Sequence, residues 1–390
     1  MNVKLPSRGD LQALMAQQKT PCISIFLPTH REGVELRQEV LRFGMQIREA
    51  ENLLLLKNLR ASQVEDVLRP IRALVEDERF WLHSADGLTV FRSPDVFLTF
   101  RLPYTLQEQV IVTRHFYLRP LWPLMIDDGH FYMLALCQTE VRLLECTHDS
   151  ANEIELPEMA PRSFITDMKY KESGNELQYH SNPLDAVTGK AGRRAIVSQG
   201  ERAGVDDEKT GILHYFQRVD GGLHALLKDE KVPLVLAGVE FLLHIYRKAN
   251  TYPYLLREGI GGNSERENAE VLHKQAYPIV VPYFKKLREE AAASYTTCAG
   301  TSRASNDMRT IIPAAFSGRV VCLFMTKDQE QWGSFNLRSC TLHVHQKPRF
   351  GDDDLLDIAA SQTLLHDGQV YVVEQADMPD DGPLAAVLRY

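Results

Sequence analysis

The residues best suited to binding phosphate are concentrated in the middle of the chain, in the segment GNELQYHSNPLDAVTGKAGRRAIVSQGERAGVDDEKTG at 174–211. Its central part holds a single acid and four cations, Lys190, Arg193, Arg194 and Arg202. Arginine binds phosphate oxygens in pairs, and glycine lets the backbone approach a ligand closely. Structureless segments beyond about 12–15 residues are uncommon in compact domains and are usually functional or disordered. The segment is therefore either a polyanion-binding loop or a disordered surface loop with incidental arginines.

Ser198-Gln199-Gly200 lies near the tip of this segment, between the arginine pair and Arg202. A glutamine at such a position can orient a water molecule or form hydrogen bonds with a nucleotide. The flanking arginines are suited to the phosphates on either side. We therefore include all three residues among the candidate RNA-binding positions.

A second candidate group is Thr29, His30 and Arg31, which follows an apolar strand-like run. Polar and cationic side chains on a loop between a strand and a helix can contact RNA backbone or bases. The alternative is an ordinary polar turn. Both interpretations stay open at this point.

Several acids and histidines suggest metal chemistry less directly. Asp127, Asp128, Glu140 and Glu145 lie near predicted strands, and a metal-dependent nuclease needs acids that converge on shared ions. Asp127 and Asp128 also form a predicted hairpin turn, where aspartate is expected for turn geometry alone. A further pair, His343 and His345, alternates on a strand, but no third ligand is evident, so we expect no metal site.

The sequence lacks a P-loop, a GxGxxG after a strand, a GxSxG and an HExxH. We therefore expect no cofactor, and no enzyme of the commonest nucleotide-dependent, hydrolase or zincin classes. No apolar run is long enough to span a membrane, and the N-terminus lacks the apolar core of a signal peptide, so we expect a cytoplasmic protein. The six cysteines form no CxxC pair, and Cys22, Cys137 and Cys322 lie in apolar strand-like runs, which is typical of buried thiols in a reducing compartment.

The formal net charge of −8 argues against a protein that coats nucleic acid by bulk electrostatic attraction. It leaves open docking into an RNA machine through locally basic loops. Three domains are expected from a length of 390 residues and the pattern of elements. The predicted fold class is mixed α/β and α+β.

The first predicted domain, 1–120, is an α+β domain. A strand at 22–27 and a helix at 35–58 come first. Ser62 and Glu65 predict the capping box of a second helix. Short strands follow, of which the first is predicted at 79–82.

The second predicted domain, 121–258, contains a mixed sheet that resembles that of ribonuclease H. Strands are predicted at 121–126, 131–137 and 141–146 in an antiparallel meander. After the long loop at 174–211, a helix at 208–228 leads to a buried strand and another helix.

The third predicted domain, 259–390, is a small α/β/α sandwich. Gly259-Ile260-Gly261-Gly262-Asn263 has the composition of a flexible linker. A helical region at 264–297 contains Pro278 and Pro282, which should kink or divide it. Asp352-Asp353-Asp354 begins a later helix, where acids complement the helix dipole.

Several short motifs and the order of the three sections resemble the archaeo-eukaryotic class 1 release factor and Pelota superfamily, in its bacterial branch, which includes a ribosome hibernation factor. The motifs are Pro233-Leu234-Val235-Leu236-Ala237-Gly238-Val239-Glu240, Gly318-Arg319-Val320-Val321, Trp332-Gly333, Asp354-Leu355-Leu356-Asp357 and Ala385-Ala386-Val387-Leu388-Arg389-Tyr390. The resemblance covers most of the chain. It implies that the sandwich is similar to the C-terminal domain of Pelota.

The resemblance implies binding in the ribosomal A site, with the first section at the decoding centre and the middle loop in the large subunit. Partners would be ribosomal RNA and a translational GTPase, which is elongation factor Tu in the hibernation case. Release factors carry a Gly-Gly-Gln tip that promotes hydrolysis of peptidyl-tRNA. Here Ser198 precedes Gln199, and the glycine pair is missing.

Three hypotheses follow. The first is a non-enzymatic factor that occupies the A site in hibernation or rescue. The second is a peptidyl-tRNA-hydrolysing factor that uses Gln199. The third is a metal-dependent RNA nuclease that uses the acids of the middle sheet.

Overall fold

The chain contributes its helices and strands to two compact units, residues 1–128 with 285–390 and residues 129–284. The structure, a computed structural model, describes residues 6, 8–17, 19–30, 36–82, 85–125, 129–137, 139–147, 151–156, 161, 200–228, 231–265 and 267–390, with the backbone alone at 8, 36–37, 123, 125 and 200–208. No described helix is both long enough and apolar enough to cross a membrane. The predicted division into three domains stays a prediction.

The elements of the first third are α1 (Arg8–Met15), β1 (Cys22–Pro28), α2 (Leu36–Leu56), α3 (Ala61–Glu76), α4 (Glu78–Trp81), β2 (Gly87–Arg92), β3 (Phe97–Leu102), β4 (Gln109–Thr113), a 3₁₀ turn (Arg119–Leu121) and α5 (Trp122–Met125). The second unit contains β5 (Phe131–Leu136), β6 (Val141–Cys146), β7 (Ala151–Ile154), α6 (Gly200–Leu227), β8 (Leu234–Gly238), α7 (Glu240–Ala249) and β9 (Leu255–Gly261). The rest comprises α8 (Ala269–Cys298), β10 (Ala304–Ser305), α9 (Met308–Phe316), β11 (Val320–Thr326), β12 (Trp332–Asn336), β13 (Thr341–Val344), β14 (Asp353–Asp354), α10 (Leu355–Leu365), β15 (Gln369–Val373), a 3₁₀ turn (Gln375–Asp377) and β16 (Leu384–Leu388).

Strand β1 lies inside an antiparallel sheet of order β3-β2-β1-β4 and is buried on both faces. Because side chains alternate along a strand, Ile23 and Ile25 pack on α2 and α3, while Cys22 and Phe26 join a second core on the opposite face. That second core also contains residues of α9 and α10. The first sheet therefore shares a core with elements from the last quarter of the chain.

The sheet of the C-terminal section has the order β10-β16-β11-β15, with β11 parallel to β15 and antiparallel to β16. Cys322 and Phe324 face Tyr295 of α8, whereas Leu323 and Met325 face α9 and α10. Helices therefore cover both faces, and the predicted α/β/α sandwich is confirmed. A three-stranded sheet of order β13-β12-β14 adjoins it in sequence.

The second unit has a five-stranded sheet of order β7-β6-β5-β8-β9. β5, β6 and β7 form an antiparallel meander, and β8 and β9 add in parallel beside β5. Numbered within the unit, the order is three, two, one, four, five, which is the predicted ribonuclease H-like arrangement. The mixed α/β fold class is confirmed.

Two predicted strands are helical turns instead. The segment at 79–82 overlaps α4 because Asp77 accepts hydrogen bonds from the backbone N–H groups of Arg79 and Phe80, at 3.0 and 3.1 Å, and so starts a helical turn. The described part of the segment at 121–126, residues 121–125, falls in the 3₁₀ turn and α5, where Pro120 sets a helical start.

Two boundary predictions are also wrong, and a third is wrong in part. Helix α3 starts after Arg60, whose N–H donates to the side chain of Gln63 at 3.1 Å, and not with Ser62 and Glu65. The predicted linker at 259–263 begins within β9. Helix α8 continues undivided through Pro278 and Pro282.

Candidate nucleic-acid interface

Thr29 follows the last residue of β1, and its polar groups form hydrogen bonds within the protein. Its side chain is buried, and its hydroxyl donates to the carbonyl of Ala85 at 2.7 Å. Its backbone N–H donates to the carbonyl of Asp86 at 3.1 Å. Thr29 therefore fixes where the loop leaves the sheet, and its hydroxyl already has a partner.

His30 is the more accessible of the two described loop residues, with a side chain that is 54% exposed. Its Nδ1 lies 2.9 Å from Oε1 of Glu39, and its backbone N–H donates to the same oxygen at 2.7 Å. Because a carboxylate only accepts, Nδ1 carries the hydrogen. Glu39 on α2 thus orients the imidazole toward one face of the loop. Arg31 lies outside the described residues.

Glu39 is a site residue that sequence reasoning missed. Its side chain is only 2% exposed, and its second oxygen, Oε2, is buried without a hydrogen-bond partner among the described residues. An acid in the first turn of a helix is usually interpreted as a partner of the dipole. The only feature of the sequence that relates Glu39 to His30 is their separation of nine residues. That separation does not predict a contact unless the folded positions of both residues are known.

Helix α2 holds the end of β1 through two further side chains. Gln46 donates from Nε2 to the carbonyl of Phe26 at 2.8 Å. Arg42 donates from Nη2 to the carbonyl of Pro28 at 3.2 Å. Helix α2 is therefore joined by hydrogen bonds both to the end of β1 and, through Glu39, to His30.

The other candidate group belongs to the second unit. Lys190, Arg193, Arg194, Ser198 and Gln199 lie outside the described residues. Gly200 is the first residue of α6, and Arg202 belongs to its first turn. The predicted loop therefore ends at 199, because 200–211 are helical. The two candidate groups belong to different units and are each described by themselves.

Helix α6 has a buried stripe in the part whose side chains the structure describes, residues 209–227. Its buried apolar positions there are Ile212, Tyr215, Phe216, Val219, Leu223 and Leu227. At about 1.5 Å per residue, Ile212 lies about 18 Å along the helix from Gly200. The second half of the helix thus belongs to the core of the second unit.

The acids proposed for a nuclease are not brought together where they are described. Glu140 immediately precedes β6 and Glu145 lies near its other end, so about 17 Å separates them at about 3.3 Å per residue. Glu145 instead pairs with His130 at 3.0 Å, and this hydrogen bond holds the pKa of Glu145 below its usual range. Asp127 and Asp128 lie outside the described residues.

No group of three or more His, Cys, Asp or Glu side chains that could hold a metal ion occurs in the described part of the chain. Of the histidine pair on the predicted strand, His343 is exposed. His345 is paired through Nδ1 with Asp352 at 2.7 Å. That pairing gives His345 a structural role.

The buried thiols have no sign of nucleophilic chemistry. Burial raises the pKa of Cys22 to about 12 and that of Cys322 to about 11. A thiol with such a pKa stays protonated near neutral pH and packs as a small apolar group. Cys22, Cys137 and Cys322 are buried, as predicted.

Comparison with protein families adds an independent observation. Residues 131–282 match the model of bacterial archaeo-eukaryotic release factor family 7. The middle of the chain is therefore similar to the bacterial archaeo-eukaryotic release factors. The matched residues include all five strands of the ribonuclease H-like sheet, together with Ser198-Gln199-Gly200 and α6. The predicted resemblance to the release factor superfamily is thereby confirmed for residues 131–282.

Three solved structures are similar over long stretches at low identity. The archaeal translation termination factor aRF1 is 12% identical, with a TM-score of 0.24 over 97% of this chain and 96% of that chain. A ribosome-bound archaeal Pelota is 11% identical, with a TM-score of 0.35 over 100% and 95%. Dom34 from S. cerevisiae is 12% identical, with a TM-score of 0.32 over 75% and 73%. Likeness at these TM-scores carries no argument about function. Comparison with curated proteins gave no match.

Proposed function

We propose that this protein is a ribosome-associated translation factor that occupies the A site, in hibernation or rescue, without hydrolysing peptidyl-tRNA. The family match over 131–282 is the observation that carries the proposal. It covers the segment in which release factors present their Gly-Gly-Gln tip. The same segment contains Lys190, Arg193, Arg194 and Arg202.

The sequence of the tip supports occupancy without hydrolysis. Gln199 is preceded by Ser198 and followed by Gly200, which already belongs to α6. A glycine pair ahead of the glutamine would let the backbone pack closely against the end of the tRNA, because glycine has no Cβ. Val197 and Ser198 occupy those two places here.

The remaining parts of the proposal concern the partners. His30, held by Glu39 and partly exposed, would contact ribosomal RNA at the decoding site together with Arg31. Lys190, Arg193, Arg194 and Arg202 would bind RNA phosphates of the large subunit. A translational GTPase such as elongation factor Tu would deliver the protein through its third section.

Ribosome pelleting tests the proposal. The full chain is mixed with 70S ribosomes, and the bound fraction is measured after sedimentation at several salt concentrations. The double variant Arg193→Glu with Arg194→Glu should lose about tenfold or more in affinity, and its salt dependence should become shallower, because two phosphate contacts are removed.

The matched control reverses two cations outside the segment, Lys285→Glu with Lys286→Glu, which are 68% and 73% exposed on α8. It should bind as the unmodified chain does. Equal affinity of both double variants for the ribosome would mean that Arg193 and Arg194 do not contribute to binding. Absence of binding by the unmodified chain would mean that the protein does not bind ribosomes, and the proposed function would be wrong.

The alternative function is peptidyl-tRNA hydrolysis with Gln199, and it is favoured only by the place of Gln199 directly before α6. Release of a labelled peptide from stalled ribosomes measures it. We expect no release by the unmodified chain. Release that is lost in Gln199→Ala would establish the alternative.

A gain-of-function variant sharpens this test. Val197→Gly with Ser198→Gly creates a Gly-Gly-Gln sequence at 197–199 without altering length or charge. Peptide release by this variant, but not by the unmodified chain, would mean that the tip reaches the peptidyl-tRNA ester and that the missing glycines prevent hydrolysis.

A further inference from the structure

An open cleft of about 830 Å³ lies in the first unit, apart from the candidate groups described above. It is bounded by the C-terminal end of α2, the first turns of α3 and the loop before β14. The side chains that matter below are Leu56, Lys57, Gln63, Asp66, Arg114 and Phe350. The volume falls in the range of about 300–1,000 Å³ that small-molecule sites occupy.

Two cationic side chains, those of Lys57 and Arg114, line the cleft. Among the described residues, neither the ammonium of Lys57 nor the guanidinium of Arg114 makes an ion pair. The nearest buried acid, Asp353, has its oxygens taken by the backbone N–H groups of Arg114 and His115 and by the His115 ring, at 3.1–3.2 Å. The cleft therefore has positive charge that an anion would neutralise.

The environment of Lys57 is consistent with an unsatisfied cation. Burial is the largest influence on its pKa and lowers it, Asp353 acts in the opposite direction, and Arg114 lowers it further as a like charge. A bound anion between the two cations would relieve this repulsion. The one acid on the wall, Asp66, is 66% exposed and is paired with Arg69 on the same helix.

The cleft also offers exposed apolar surface. Phe350 is 51% exposed, and Leu56 is 66% exposed. The Nζ atom of Lys57 lies 5.6 Å from the centroid of the Phe350 ring, so an aromatic plane and a cation are adjacent. A planar, electron-rich ligand that carries a phosphate has features for both, because aromatic side chains stack on bases and cations bind phosphate.

We propose that this cleft binds a nucleotide, with the base on Phe350 and Leu56 and the phosphate between Lys57 and Arg114. A free nucleotide and a single nucleotide within an RNA strand share this chemistry. The polar side chain of Gln63, in the first turn of α3, lies on the wall where a base edge or ribose would be. The site does not depend on the arginine segment or on ribosome binding.

Titrations of the purified full chain test the proposal without ribosomes. One arm uses ATP and GTP, followed by calorimetry. A second arm uses a fluorescein-labelled single-stranded RNA hexamer, followed by fluorescence anisotropy. A third adds inorganic phosphate as a competitor. Binding of the mononucleotides identifies a free-nucleotide site, whereas binding of the hexamer alone identifies an RNA-strand site.

Phe350→Ala should weaken binding about tenfold or more, since stacking on one aromatic side chain has about that effect. Lys57→Met should weaken it by a similar factor and should reduce both the salt dependence and the competition by phosphate. Matched controls are Phe97→Ala, at a phenylalanine of β3 that is 36% exposed, and Lys286→Met, both outside the cleft.

Phe350 lies on a loop, so its variant stays informative if Lys57→Met fails to fold. Thermal unfolding establishes folding of each variant. Absence of binding in both nucleotide arms, or binding that neither cleft variant weakens relative to the controls, would overturn the proposal.

Discussion

Asp357 is a carboxyl group that the fold encloses completely, on the first turn of α10. Its two oxygens accept from the N–H of Leu118 at 2.8 Å and from Nε1 of Trp122 at 2.7 Å. Burial, and after it the neighbouring Asp354, raise the pKa of Asp357 to about 8, and the two donors oppose this only in part. Its protonation is therefore coupled to folding near neutral pH.

We expect the stability contributed by Asp357 to fall as pH rises from about 4 to about 8. The unfolded carboxyl loses its proton near the ordinary value of 3.8, and the folded one only near 8. Between these values the folded state binds more protons, so the free energy of unfolding decreases with pH. Urea unfolding of the unmodified chain and of Asp357→Asn, from pH 4 to 8, measures the effect as a difference.

Asp357→Asn removes the titration and adds a constant cost, because its amide nitrogen faces one of the two N–H donors. The unmodified chain should therefore lose its advantage over the variant as pH rises. An advantage that grows with pH would instead mean that the two donors favour the carboxylate.

Sequence patterns predicted the role of such acids only in part. Asp354 does cap α10, through the N–H of Leu356 at 3.1 Å, as an acid at a helix start should. Its ion pair with Arg119, at 2.7 Å, joins residues 235 positions apart. Local spacing contains no information on such a partner, which is why the charge network of the first unit was not predicted.

At the scale of elements, short apolar runs were predicted well, and the glycines near residue 260 were interpreted wrongly. β1, β5, β6, β8 and β11 were expected because each is a short run that the sheet buries. Gly259 and Gly261 instead suggested a linker, yet both belong to β9, parallel to β8. A Cβ at Gly259 would lie 2.9 Å from the carbonyl oxygen of Leu236. Glycine there permits close approach of two strands, and it does not signal flexibility.

Gly259→Ala should therefore destabilise the protein, by about 1–3 kcal/mol, because the strand must move away from β8 or distort. Gly221→Ala is the matched control in the same unit. Gly221 is exposed within α6, and an added Cβ meets nothing within 4 Å. Its replacement should stabilise the protein by about 0.5–1 kcal/mol through helix propensity.

Chemical denaturation followed by circular dichroism measures both changes. Opposite signs are the expected outcome. Two stabilising substitutions would mean that β9 tolerates a side chain at 259 and that the segment behaves as the flexible linker that its composition suggested.

At the scale of the whole chain, the first unit joins sections that are far apart in sequence. One core contains Phe26 and Phe91 from the first section and Leu323 and Leu356 from the last. Sequence analysis placed these sections in separate predicted domains, because composition and periodicity describe each segment without its distant partners. The same reason explains why Glu39 was not predicted as a site residue. Its contact with His30 exists only in the folded protein.

Arg119 is one of the residues that make this long-range connection. Its side chain is 11% exposed and pairs with the fully buried Asp354, and it also donates to the carbonyls of Thr326 and Lys327, at 2.9 and 3.3 Å. Arg119→Met leaves a buried carboxylate without its partner, which costs about 3–5 kcal/mol. Arg72→Met is the control, because Arg72 and Glu51 are more than a third exposed and such pairs contribute about 1 kcal/mol or less.

Hydrogen exchange measured by mass spectrometry shows both where the Arg119→Met variant loses stability and how large the loss is. Protection should fall together in β1 and in β11, by the same free energy, because both strands contribute to one core. In Arg72→Met the protection of β11 should stay unchanged. If Arg119→Met lowers protection in β11 alone, the first and last sections unfold independently, and the core that contains both does not make them one cooperative unit.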